Sequence, residues 1–202
     1  MNDFEGHNNN LMMNEVDLRR GAKAKFLACY KNDPTTLILD ELGLRHGAAR
    51  IDIALINGII HGYELKSDKD NLRRLPHQMQ IYNTVLDRIT LVTTDRHAEH
   101  ATRLIPRWWG IKIAFTKSAD VLEFSDLRDA SNNPALDILA VSKLLWREEA
   151  LTLLDEFGEA GPLRYKRRAL IYARLAEIAD LDTVRERVRR QLKLRQTLKV
   201  GQ

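Results

Sequence analysis

Arg50 to Asp70 reads RIDIALINGIIHGYELKSDKD: two strand-like runs joined at Asn57-Gly58, with Asp52 on the first and Glu64 and Lys66 on the second. Asn-Gly between apolar runs is a strong hairpin signal, so the fold turns on the register of this hairpin. A two-residue turn pairs Ile56 with Ile59 and places Ile51, Ile53 and Leu55 on the face of Glu64 and Lys66, mixing apolar and charged groups. A three-residue turn with Gly58 at a left-handed bulge position pairs Leu55 with Ile59, and the faces then sort. Ile51, Ile53, Leu55, Ile59, Tyr63 and Leu65 share one face, and Asp52, Ala54, Gly62, Glu64 and Lys66 share the other. An odd-length turn or an equivalent bulge is therefore expected.

Outward from the hairpin, Glu15 to Lys31 shows helical spacing that ends near Asn32-Asp33-Pro34, and Thr35 to Leu39 reads as a strand continuing into Asp40 and Glu41. Downstream, Asp70 to Leu86 reads as a helix with Pro76 near its first turn, Arg88 to Thr94 as a strand, Ala98 to Ile105 as a helix and Ile111 to Phe115 as a strand. Hairpins are antiparallel and helical crossovers return parallel strands, so an α/β fold around a mixed sheet is expected. Lys117 to Asn133 lacks strand character. Helices follow at Ala135 to Phe157, Leu163 to Ala179 and Asp182 to Leu198. The chain thus divides into a disordered start (1–14), a core (15–130) and a helical basic region (131–202), the last either a subdomain or a brace on the sheet.

With 202 residues and 44% hydrophobic content the chain has enough apolar material for one buried core. No apolar run approaches the roughly 20 residues a membrane helix needs, and MNDFEGHNNN lacks the features of a secretory signal, so a cytoplasmic protein without a membrane partner is expected. The lone Cys29, in KFLACY, reads as a small buried thiol. The net charge of +4 is unevenly placed: from Pro162 onward twelve Lys/Arg stand against four acids, so this tail is +8 and the remainder −4. Localised basic charge suits a nucleic acid, and Arg164, Lys166, Arg167 and Arg168 lead that segment. Leu181, Val184, Val188 and Leu192 recur near helical spacing among the arginines, which suits a homodimer or partner helix as well.

Asp52 and Glu64 supply anionic oxygens for a hard cation, with the Leu65 carbonyl as a further ligand. Such a site answers the needs of phosphodiester hydrolysis: neutralising the phosphate, generating hydroxide near neutral pH and stabilising the leaving oxygen. Lys66, on the same face, orients the attacking water and stabilises charge on the phosphate. Gly62 leaves the surface beside Glu64 open. The plain alternative is a surface ion pair between Asp52 and Lys66, worth roughly 0 to 1 kcal/mol. Gln78 and Tyr82 lie four apart on one helix face; they read either as an amide and a phenol packed on the sheet or as support for the site. Trp108 and Trp109 offer base-stacking surface, with at least one expected in the core.

These residues resemble the PD-(D/E)XK nuclease superfamily: Asp52 matches its Asp, Glu64-Leu65-Lys66 its E-x-K, and Gln78 with Tyr82 the Q-x-x-x-Y element of RecB-like members. The element order resembles its restriction-endonuclease-like α-β-β-β-α-β core. The resemblance covers Glu15 to about Thr94, and the whole chain is similar to a family of uncharacterised bacterial proteins that join this core to a helical C-terminal region. It implies a Mg²⁺- or Mn²⁺-dependent nuclease acting on nucleic acid, DNA favoured, with Gln78 and Tyr82 bracing the site. The family's additional acid is best matched by Glu41, with Glu15 and Asp17 behind it. The competing expectation is a catalytically inactive nucleic-acid-binding or protein-interaction module on the same fold.

Overall fold

In the computed structural model, which describes residues 12–118 and 121–200, six strands lie side by side in chain order: β1 (Leu37–Leu44), β2 (Ala49–Asn57), β3 (Ile59–Lys66), β4 (Arg88–Thr94), β5 (Gly110–Ser118) and β6 (Val121–Arg128). β1, β2 and β3 run antiparallel, β3, β4 and β5 parallel, and β6 antiparallel to β5. The helices are α1 (Glu15–Lys25), α2 (Leu75–Val85), α3 (Asp95–Leu104), α4 (Ile138–Ser142), α5 (Arg147–Glu156), α6 (Arg168–Ile178) and α7 (Leu181–Val200). The molecule is therefore α/β with a mixed sheet and C-terminal helices. Among the described residues no helix is long and apolar enough to cross a membrane.

The hairpin closes more tightly than expected. Asn57 pairs with Ile59 and Ile56 with Ile60 across Gly58, whose φ of +66° is one that glycine adopts without steric cost. The pairing is displaced from Leu55–Ile59, yet side-chain parity is kept, because a two-residue displacement leaves every side chain on its face. One expected face changes: the β2–β3 ladder ends at Ile53–Tyr63, and Ile51 packs with Ala54 and Ile56 instead of with Ile53. Opposite this departure Glu41 has φ +57°. Gly62 is not open to a ligand either: a Cβ there would meet Leu86 Cδ1 at 2.7 Å and Ile51 Cγ1 at 3.0 Å.

Two cores flank the sheet. Leu18 and Ala22 of α1 pack with Leu27 on Ile53, Leu55, Tyr63, Leu65, Val92 and Ala114. The opposite face is covered by α2 to α7, with Tyr82, Val141, Leu154, Tyr172, Val184 and Val188 in one continuous cluster with Ile56, Ile89, Leu91 and Ile111. The C-terminal helices are thus the brace rather than a subdomain with a core of its own. α7 is also tied down by polar bonds: Arg185 Nε donates to Asp87 Oδ1 at 2.8 Å, while Asp87 Oδ2 accepts from the Ile60 N–H at 2.6 Å. The apolar stripe of α7 that suited a second copy faces this internal core.

Several expected boundaries move. Residues 1–11 lie outside the described residues, but Met13 donates to Asp68 and Asn14 caps α1 in a reciprocal box with Asp17, so the fold begins before Glu15. α1 ends at Lys25, and Cys29 sits exposed in a short 3₁₀ turn (Ala28–Tyr30), not buried in a longer helix. β6 occupies a stretch expected to lack strand character: only Leu122 and Phe124 alternate inward against the α1 core, too short a repeat to announce an edge strand. The helix expected from Ala135 to Phe157 is two, because the chain turns at Lys143–Trp146 before Glu149 accepts the Trp146 N–H and restarts it.

Candidate active site

β2 and β3 bring Asp52 and Glu64 close together, Asp52 beside Glu15 and Arg19 of α1 and Glu64 beside Gln78 and Tyr82 of α2. Together with Leu65, Lys66, Gln78, Arg74 and His77 the two acids line a cleft of about 670 Å³. Glu64 is 1% exposed and Lys66 6%. Burial of such charges demands partners, and Glu64 has three: Oε1 accepts from Lys66 Nζ at 2.6 Å and Gln78 Nε2 at 2.9 Å, and Oε2 lies 2.8 Å from the Tyr82 hydroxyl. Tyr82 OH is also 2.6 Å from the Arg50 carbonyl, and its single proton serves one acceptor at a time. Burial, then the charge of Glu64, pushes the Tyr82 hydroxyl above the ordinary tyrosine range. Gln78 Oε1 is buried with no hydrogen-bond partner among the described residues. The Q-x-x-x-Y pair is therefore in contact with the carboxylate.

Asp52 differs in surroundings. Its Oδ2 accepts from the Leu65 N–H at 2.7 Å, so Leu65 touches the site through its amide. Burial first and the charge of Glu64 second push the Asp52 carboxyl up to about 7, against the opposing effects of the Leu65 amide and Lys66. A cation beside Asp52 would remove that repulsion.

Three carboxylates, Glu15, Glu41 and Asp52, each offer an oxygen within 4.8 Å of the others. Glu41 reaches them from β1, where its left-handed backbone turns it toward Asp52, and Glu15 from the first turn of α1. Asp17 is engaged in the α1 cap instead. Hard oxygen donors suit Mg²⁺ or Mn²⁺. Arg19, a residue the sequence reading passed over, lies among them: Nη2 contacts Glu15 and Glu41 at 2.6 Å each, Nη1 donates to the Asp52 carbonyl at 2.6 Å, and the Asp52 carboxylate is 3.7 Å away. Burial opposes the charge of Arg19, but Glu15, Asp52 and Glu41 outweigh it and raise its pKa. The signal was present as Glu15 and Arg19 four apart on one helix.

His61, the two tryptophans and the basic tail separate from this cluster. His61 stacks on Tyr63 and contacts Thr90 on the opposite face, where burial and then Arg88 and Lys112 lower its pKa to about 3. Trp109 is fully buried and donates to Asn83, and Trp108 packs against the core. Much of the basic tail is paired internally: Arg174 with Glu159, Arg185 with Asp87, Arg187 with Glu156 and Arg195 with Glu149. Arg164, Lys166, Arg167 and Arg168 lie outside the cleft on the exposed connection into α6; Arg164 stands 3.7 Å from Asp155.

A family model for bacteriophage P4 protein cII matches residues 21–199. Protein cII of Enterobacteria phage P4 is 24% identical over 158 residues, covering 78% of this chain and 59% of that protein, so the chain spans about three-fifths of this relative's length. A protein of unknown function from Silicibacter pomeroyi aligns over 84% of this chain and 97% of its own with TM-score 0.43 and 19% identity.

Proposed function

The chain belongs to the bacteriophage P4 protein cII family, and we propose that it acts as a metal-dependent nuclease hydrolysing phosphodiester bonds, with DNA the favoured substrate. The observation that carries this reading is the buried Glu64–Lys66–Gln78–Tyr82 network beside an Asp52 whose carboxyl is pushed up to about 7. A structural ion pair needs neither the cleft nor the second carboxylate. Asp52, Glu41 and Glu15 would hold Mg²⁺ or Mn²⁺, and Glu64 retains an acceptor site on Oε2. Such an ion supplies charge neutralisation at the phosphate and a nucleophile at neutral pH. Lys66, held by Glu64, positions the attacking water and stabilises charge developing on the phosphate. Gln78 and Tyr82 keep Glu64, and through it Lys66, in place. The cytoplasm is the proposed location.

The test is cleavage of linear, supercoiled and single-stranded DNA and of RNA by the full chain with Mg²⁺ or Mn²⁺. Asp52→Ala and Lys66→Ala are each expected to lower the rate at least about 100-fold, the order lost when a group stabilising transition-state charge is removed. Cleavage of no substrate, or undiminished cleavage by both variants, overturns the reading. Arg19 favours a second one: its guanidinium already compensates the three carboxylates, as in a catalytically inactive module that binds nucleic acid or a protein. That module binds in a salt-sensitive manner without metal-dependent cleavage, and Asp52→Ala leaves its binding intact.

A further inference from the structure

On the far side of the Arg45–Gly47 loop from the catalytic cleft lies a second pocket of about 180 Å³, on the C-terminal helices. The two share Gly43, while His46 lines the second and Gly47 the first, so the loop is the ridge between them. Arg45 and His46 hold φ of +48° and +58°, a conformation that non-glycine residues keep only where the surroundings enforce it. Resting on the nuclease reading, we propose that this pocket is a subsite for the same nucleic acid strand: Lys143 and Arg168 take a phosphate next to the scissile one, and Trp146 stacks a base.

The pocket is built for an anion with a flat apolar neighbour. Among the described residues neither Lys143 nor Arg168 faces a carboxylate partner, although Arg174, Arg185, Arg187 and Arg195 do. Uncompensated cations in a concavity raise the local concentration of anions. Trp146 is 60% exposed, so the core does not explain it. It is nonetheless held in place: the Arg195 guanidinium lies 4.3 Å from the centre of its ring, and Arg195 is anchored by Glu149 and, at 2.9 Å, by the Leu144 carbonyl. An indole covered on one face by an anchored cation is a stacking platform on the other. An isolated phosphate ion has no use for it, and a nucleotide does.

The experiment is fluorescence anisotropy of a labelled 20-nucleotide single strand and its duplex with the full chain in EDTA, at stepped salt, alongside circular dichroism. Trp146→Ala is expected to weaken single-strand binding about 5- to 100-fold, following the strength of base–aromatic stacking. Lys143→Ala/Arg168→Ala is expected to reduce the duplex slope of log K against log salt by about one, the loss of one phosphate contact. Trp146→Phe should abolish quenching of the protein's fluorescence by the strand. Binding by Trp146→Ala and the double variant like the parent overturns the subsite, even if the parent cuts DNA. Competition by inorganic phosphate with no effect of Trp146→Ala overturns the stacking. If these variants lose binding and the parent never cuts, the subsite stands and the nuclease reading falls.

Discussion

The Asp52 carboxyl is the most informative single group in the cleft, because its environment ties folding to the occupant of the site. Burial and Glu64 push it up to about 7, while in the unfolded chain it ionises near pH 4. The folded protein therefore keeps a proton that the unfolded chain loses between these values. The stabilisation by Asp52 is complete below about pH 4 and is lost as pH rises through about 7. In EDTA, Asp52→Asn is expected to match the parent at pH 4 and to exceed it by about 1 to 4 kcal/mol at pH 8, measured by urea unfolding. A difference that does not change with pH refutes the account. The same proton must leave before a cation binds, so metal affinity should rise with pH and level off above about 7, which titration calorimetry checks. Tyr82→Phe removes a donor from Glu64 and Arg50 and is expected to cost about 1 to 3 kcal/mol.

At the scale of elements, the hairpin and α7 depend on different physics. Gly62 holds Leu86 and Ile51 where a methyl would stand, so Gly62→Ala overpacks the β3–α2 contact and should cost about 1 to 3 kcal/mol by chemical denaturation. α7 is seated by apolar packing and by Arg185 on a buried Asp87. Asp87→Ala strands the Ile60 amide and the guanidinium together, and about 3 kcal/mol should be lost. Amide exchange then speeds first in α7 and at the start of β3; uniform acceleration throughout the fold argues against this anchoring. Element positions were largely legible, since Arg88–Thr94 and both hairpin strands carry long β-branched or alternating runs. β6 and the break between α4 and α5 were not, because an edge strand buries few residues and a break within an apolar run leaves its periodicity nearly intact.

Across the whole molecule, one core joins the sheet to the C-terminal helices. Val184, Val188 and Leu192 belong to the same cluster as Ile89 and Ile111. A fragment of residues 15–130 would expose the part of that face that α4 to α7 cover and is expected to lack cooperative unfolding, whereas the full chain unfolds in one transition by circular dichroism. A fragment that melts cooperatively assigns the helices to a separate unit. Charge is organised at the same scale. The +8 tail and −4 remainder meet through pairs such as Arg187–Glu156 and Arg195–Glu149. The cations facing outward are accordingly fewer than composition suggests.

By itself the sequence determined the α/β order and the hairpin at Asn57-Gly58 with Glu64 and Lys66 on one face, since strand parity survives a two-residue change of register. It also carried Gln78 and Tyr82 to the site through their four-residue spacing. Only the tertiary structure decided that Arg19 and Glu15 join Asp52 and Glu41, and that Ile51 leaves the face of Ile53. Only there, too, do the tail arginines divide into paired and outward-facing groups. These are contacts between residues far apart in the chain, and local periodicity holds no information about which distant charge completes a buried one.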